Sequence, residues 1–210
     1  MFSIVNFEIF ILTAILLNLT PGPDTMYIIS RSISQGTKAG IYSALGITSG
    51  SIVHTLLAAF GLSIILMNSI FLFNTVKIIG AVYLAYLGIK MILARKTTAP
   101  EPKHVQVMLH RKIFLQGLIV NITNPKVALF FIAFIPQFIS PENSSPLPFL
   151  LLGLTFCVTG GIWGFFIAHF SSQSTNKLRG NKNVQFILNK LTGIVFIAMS
   201  IKLLKTKATQ

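Results

Sequence analysis

Asp24 and Lys126 are the two residues whose type and position in this chain point to chemistry. Asp24 follows Thr20-Pro21-Gly22-Pro23, inside an apolar stretch that runs from Phe7 to Ile29. It is one of four acids, and the other three, Glu8, Glu101 and Glu142, fall near the ends of apolar runs or between them. Two prolines and a glycine remove donors and add clashes, so a regular helix breaks there. Lys126 ends a second interruption, Asn121-Ile122-Thr123-Asn124-Pro125-Lys126. If Pro23 and Pro125 each open a helix, with Asn124 as a cap, both charges stand in a first turn. The positive end of the helix dipole favours an anion there. Asp24 therefore reads either as a capping acid or as an intramembrane site for an amine or a proton. The same dipole disfavours a cation, so Lys126 is not explained by the stability of its own helix. The competing reading of Lys126 is a side chain that snorkels to an interface.

The elements that hold these two residues belong to a membrane. The chain has 210 residues, 53% of them hydrophobic and 10% charged, with a mean hydropathy of +0.76. Soluble domains carry about 25% charged residues. Several apolar runs reach the roughly 20 residues that span a bilayer. There is room for six spans and short loops in one integral membrane domain, residues 1–210, and none for a separate soluble domain. The net charge of +13 does not indicate nucleic acid, because the cations are spread over loops between apolar spans. The N-terminus lacks a basic stretch and carries Glu8, so the first span is expected to be retained rather than removed as a signal.

The expected spans are about 5–30, 39–66, 71–94, 113–139, 147–170 and 184–204. Arg31 and Lys38, the loop from Arg95 to Lys112, and Lys177, Arg179 and Lys182 alternate with loops poorer in cations. The positive-inside rule then places these loops in the cytoplasm and both termini outside. Gly36 and Gly40 are expected to shape the first loop. Short fragments recur in order, offset by 103 to 113 positions. Asn18-Leu19-Thr20-Pro21-Gly22-Pro23 resembles Asn121-Ile122-Thr123-Asn124-Pro125, Gly46-Ile47-Thr48 resembles Gly153-Leu154-Thr155, and Lys77 to Ala85 resembles Lys190 to Ala198. A repeat of three spans must enter the membrane from the opposite face in its second copy. The expected fold is thus an all-α membrane protein of six transmembrane helices. It forms two inverted three-helix repeats, about 1–96 and 111–207, joined by a cytoplasmic loop, 97–110, with broken helices at spans one and four.

The stretch Asn18 to Asp24 resembles the signature of the LysE/RhtB family of amino-acid exporters. Gly46-x-x-x-Gly50, Lys77-x-x-Gly80-Ala81-x-Tyr83-Leu84-x-Tyr86-Leu87-Gly88, and Phe114 through Asn121-x-x-Asn124-Pro125-Lys126 to Pro136-Gln137-Phe138 follow in the family's order. The last third matches only in hydropathy and span length. The resemblance implies secondary active efflux of amino acids or related metabolites across a bacterial inner membrane, and it leaves the substrate open.

Within that frame Asp24 and Lys126 are expected to face one another across the repeat interface near the midplane. A zwitterion offers an ammonium to the acid and a carboxylate to the base or to a helix N-terminus. Empty, the two side chains would pair directly or through water, and proton exchange at Asp24 would couple export to the proton gradient. Thr20, Pro21, Gly22, Pro23, Asn121, Asn124 and Pro125 make up the surrounding breaks, and His54 is a candidate proton relay or an interhelical hydrogen-bonding residue. Gly46, Gly50, Gly160 and Gly164 read as helix packing. No enzyme motif and no cofactor are expected. Cys157 alone cannot serve a membrane redox carrier, and His104, His110 and His169 form no ligand set for a metal or for a divalent-metal exporter. The expected partners are a small amino acid, protons and the bilayer, and so much small-residue surface is compatible with a homodimer.

Overall fold

Apolar runs build the helices, and the proline-bearing segments ending at Pro23 and Pro125 break them. The structure, a computed structural model, describes residues 4–62, 70–94, 107–140, 145–173 and 182–205. Helix α1 is Phe7–Leu19, and α2 is Pro23–Leu57, continued by a π-turn at Ala58–Leu62. Helix α3 is Ile70–Leu93 and α4 is His110–Ile122. The short α5, Pro125–Leu129, runs on through a π-turn at Phe130–Phe134 and a 3-10 turn at Ile135–Phe138. Helices α6, Leu147–Gln173, and α7, Lys182–Lys205, complete the chain. Among the described residues there is no β-strand, only an isolated bridge between Ile4 and Ile139. Glu101, His104, Glu142, Lys177, Arg179 and most of the expected loop 97–110 lie outside the described residues.

By length and apolarity, among the described residues, Pro23–Gly61 and Leu147–Ser171 can cross a membrane, and α4 with Pro125–Phe138 makes a third span bent by 48°. Phe7–Leu19 and Ile78–Leu93 are apolar but shorter. Pro23–Gly61 has 39 residues, which as a straight helix would reach about 58 Å, nearly twice the hydrocarbon core. It does not run straight. Gly36 has φ 80° and ψ 178°, a conformation essentially confined to glycine. A Cβ on Gly40 would meet Ser32, and one on Gly164 would touch both Ala44 Cβ (3.1 Å) and Ile28 Cδ1 (3.4 Å). In a straight helix Ile28 and Ala44 would stand about 24 Å apart. The arms 23–35 and 37–57 therefore lie side by side as a helical hairpin. The sequence placed a loop from Arg31 to Lys38. The turn is instead made at Gly36 alone, because a single residue with positive φ suffices, and Gly40 sits within the second arm.

Two sets of contacts fix how the helices run. Along α1 and the first arm of α2, partners in α4, α5 and the turns after it descend as the chain ascends. Val5 donates to Phe138 O, Phe10 packs on Phe138 and Phe130, Lys126 reaches Leu17 and Thr20, Asn121 reaches Asp24, and Gln35 bonds Met108. These two broken helices are antiparallel along their whole length, and their breaks meet halfway. Helices α3 and α7 are antiparallel by the same test: Ser200 donates to Ala81 O, Gly193 touches Gly88, and Lys190 donates to Ile92 O. The second arm of α2 runs parallel to α4, with Gly46 against Phe114 and Gly50 against Asn121. The largest buried cluster is aromatic. Phe10, Phe130, Phe134, Phe138 and Phe149 fill the end that carries Ile4 and Ile139.

Candidate functional site

The first break leaves backbone acceptors exposed in the interior. α1 ends with Thr20 N–H on Leu16 O (3.0 Å) and Leu17 O (3.2 Å), and Pro21 contributes no donor. α2 starts with Pro23 in its first turn behind an extended Gly22. The carbonyls at this C-terminal end carry the negative pole of the α1 dipole. Lys126 serves them: its Nζ donates to Leu17 O and Thr20 O, both at 2.8 Å. A Cβ on Gly22 would lie 3.8 Å from the lysine Nζ.

The second break is capped by its own sequence. Asn124 Oδ1 accepts from Lys126 N–H at 3.1 Å, and Pro125 opens α5. Asn121, at the end of α4, is fully buried. Its Nδ2 donates to Asp24 Oδ2 at 2.7 Å, its Oδ1 accepts from Ser51 Oγ at 3.3 Å, and its carbonyl lies 3.3 Å from His54 Nε2. Each charge thus reaches across to the end of the opposite broken helix, Lys126 to carbonyls and Asp24 to an amide. Of the two arrangements expected for Asp24 and Lys126, direct or through water, the direct ion pair is not formed, because the backbone carbonyls of α1 take the ammonium. Asp24 Oδ1 is buried with no hydrogen-bond partner in the protein.

Asp24, Lys126, Thr20, Gly22, Asn121 and Asn124 line one cavity of about 50 Å³. Leu17, Ile28, Ile47, Val127 and Phe156 supply apolar wall. At that volume the cavity holds a few waters. His54 stands behind Asn121, stacked on Phe131 at 5.6 Å, and does not line the cavity. Pro21, Pro23 and Pro125 shape the breaks without lining it. Gly50 admits the Asn121 side chain, Gly46 admits the α4 backbone at Phe114, and Gly164 receives Ala44 and Ile28. Gly160 gives way to Asn18, whose Nδ2 donates to Thr159 Oγ1 at 3.1 Å. Asn18, Cys157 and Trp163 also line the cavity. Sequence reasoning did not single them out as site residues. The one available signal was Asn18, which aligns with Asn121 in the recurring fragments.

A model of the LysE type translocators matches residues 15–207. The chain belongs to this LysE family. The membrane protein YrhP of Bacillus subtilis is 30% identical over 201 residues, which cover 90% of this chain and 93% of that protein. A leucine efflux protein of Klebsiella pneumoniae is 30% identical over 203 residues, covering 96% of each chain. A leucine efflux protein of Salmonella typhimurium is 29% identical with the same coverage. No solved structure matches the chain. As a LysE family translocator it is a bacterial multi-pass membrane protein, and the match does not favour the divalent-metal or redox-carrier readings.

Proposed function

We propose that this protein exports aliphatic amino acids, leucine foremost, across the bacterial inner membrane by secondary active transport coupled to protons. The observation that carries the reading is the meeting of two broken helices at one cavity, with the acid of one and the base of the other in its wall. Discontinuous helices that meet at mid-depth are the usual setting of substrate sites in secondary transporters. The apolar wall suits a branched side chain, and two relatives of matching length are named leucine efflux proteins. Asp24 receives the substrate ammonium or the coupling proton through the oxygen that Asn121 leaves open. Lys126 holds the ends of the break and keeps one of its three donors for the cavity.

We further propose six spans in two inverted repeats. The antiparallel pairing of the broken helices supports this, since its centre lies at the two breaks. The mutual contact of Gly88 with Gly193 and Ile197, and of Gly193 with Gly88 and Ile92, supports it too, because such reciprocity marks a two-fold axis. Asn18 and Asn121 also occupy like places, each beside a glycine and a hydroxyl residue of the opposite half.

The test is leucine counterflow in proteoliposomes, with and without a pH gradient. Wild-type protein exchanges leucine and responds to the gradient. Asp24→Asn lowers exchange at least tenfold. Normal exchange by both Asp24→Asn and Lys126→Met would remove the site from this cavity.

A further inference from the structure

Among the described residues, three side chains carry buried polar atoms with no hydrogen-bond partner in the protein: Asp24 Oδ1, Trp163 Nε1 and Gln137 Oε1. Gln137 lies away from the cavity, while Asp24 and Trp163 both belong to its wall. One of these two atoms is an acceptor on an acid, and the other is the N–H of an indole, which can only donate. A buried donor without a partner is rare and costs free energy unless a ligand or water meets it. The two unspent groups match the two ends of an amino acid, whose ammonium only donates and whose carboxylate only accepts.

Lys126 is the obvious rival for the carboxylate. Two of its three donors are already held by Leu17 O and Thr20 O at 2.8 Å, so the ammonium is fixed to the backbone of α1. Its third donor serves the cavity only from that fixed place, and drawing the ammonium further toward a substrate would strip the broken helix end of its partner. Trp163 makes no such bond. Its ring is held instead by stacking on Phe166 at 5.5 Å and by packing with the cluster of Ile28, Ala44, Ile167 and Ala168. An uncharged donor in an apolar wall orients a carboxylate without the strong ionic hold that would slow release.

We propose that Trp163 is the substrate-binding residue that receives the carboxylate of the transported amino acid through its indole N–H, while Asp24 takes the ammonium. This rests on the reading of the cavity as the amino-acid site. Both atoms are buried in the cavity wall, so a shift of that wall on loading must expose them to the substrate.

Trp163 is the single tryptophan of the chain, so its own emission reports on the contact. Purified full-length protein is titrated with L-leucine and with leucinol, which keeps the amine and side chain but lacks the carboxylate. L-Leucine gives a saturable change in Trp163 emission, and leucinol requires at least tenfold more. Trp163→Phe, followed by leucine counterflow, keeps the ring and loses the N–H. Its KM for leucine rises about tenfold, and leucine loses its advantage over leucinol as a competitor. Unchanged emission on saturable leucine binding, or a Trp163→Phe protein that still prefers leucine tenfold over leucinol, overturns the assignment. If Asp24→Asn still abolishes binding in that case, the site itself stands. If wild-type protein binds neither compound, the amino-acid reading falls and this inference with it.

Discussion

Asp24 and Lys126 differ in what each is attached to, and substitution separates their roles. Asp24→Asn keeps the oxygen that accepts from Asn121 and loses only the charge, so it leaves the fold intact. Lys126→Met removes the partner of two buried carbonyls at the end of α1. Hydrogen bonds to a charged group are worth about 1.5–3 kcal/mol, and orphaned acceptors add to their loss. Thermal unfolding in detergent should therefore show Lys126→Met falling by several degrees and Asp24→Asn staying near wild type. The opposite order would mean that the acid, not the lysine, holds the break together. The sequence marked Lys126 as a cation that its own helix does not explain. It did not give the reason, because the partners are main-chain carbonyls that only the path of α1 sets free. Trp163 was illegible for a different cause: a lone aromatic in an apolar run carries no spacing signal, and its unspent N–H is a property of packing.

The helices themselves depend on glycines for two distinct reasons. Gly36 turns the hairpin with φ 80°, and nothing lies within 4 Å of where its Cβ would be. Gly36→Ala thus costs backbone strain alone, about 1–3 kcal/mol. Gly46 is helical, but a Cβ there would run into the carbonyl of Phe114, and main chain cannot move aside. Gly46→Ala pushes α4 away from the second arm and shifts Asn121, which packs at Gly50 one turn further on. Overpacking of this kind costs about 1–3 kcal/mol. Both variants should unfold at lower temperature, but only Gly46→Ala should also lower leucine counterflow several-fold. Equal transport loss in the two would mean that the hairpin turn, rather than the seat of Asn121, limits function. Much of this level was legible. Glycines four apart in apolar runs read as close approach, and the proline-bearing breaks gave the ends of α1, α2, α4 and α5. The hairpin turn was drawn too long, since polar Arg31, Ser32, Ser34 and Gln35 look like a loop. In the structure Arg31 and Ser32 are buried and helical, with Arg31 bonded to Gln35 and Gln116.

Across the whole molecule, the antiparallel ladder of the broken helices decides which loops share a side. Gln35 and Met108 sit at one end, held by bonds of 2.9 and 3.0 Å, and Ile4 and Ile139 sit at the other. Lys38, Arg111 and Lys112 are exposed near the first end, and Glu8 is exposed near the second. By the positive-inside rule, the excess of cations predicts that the first end faces the cytoplasm. The proposed repeat starts from three short matches in order, yet apolar helices resemble one another by composition, and the contacts between halves are what support it. A labelling experiment puts that geometry at risk. Cys157 is the single cysteine of the chain and is buried, so a Cys157→Ala background is silent. Lys38→Cys and Ser145→Cys then each place one thiol, at the Gly36 turn and just before α6. If six spans form two inverted halves with both termini outside, an impermeant thiol reagent labels Ser145→Cys in intact cells and reaches Lys38→Cys only after permeabilisation. Exchange of the two patterns would keep the repeats and reverse the orientation. Labelling of both positions from the same side would break the inverted arrangement, and with it the argument that the two breaks meet at the centre of a two-fold.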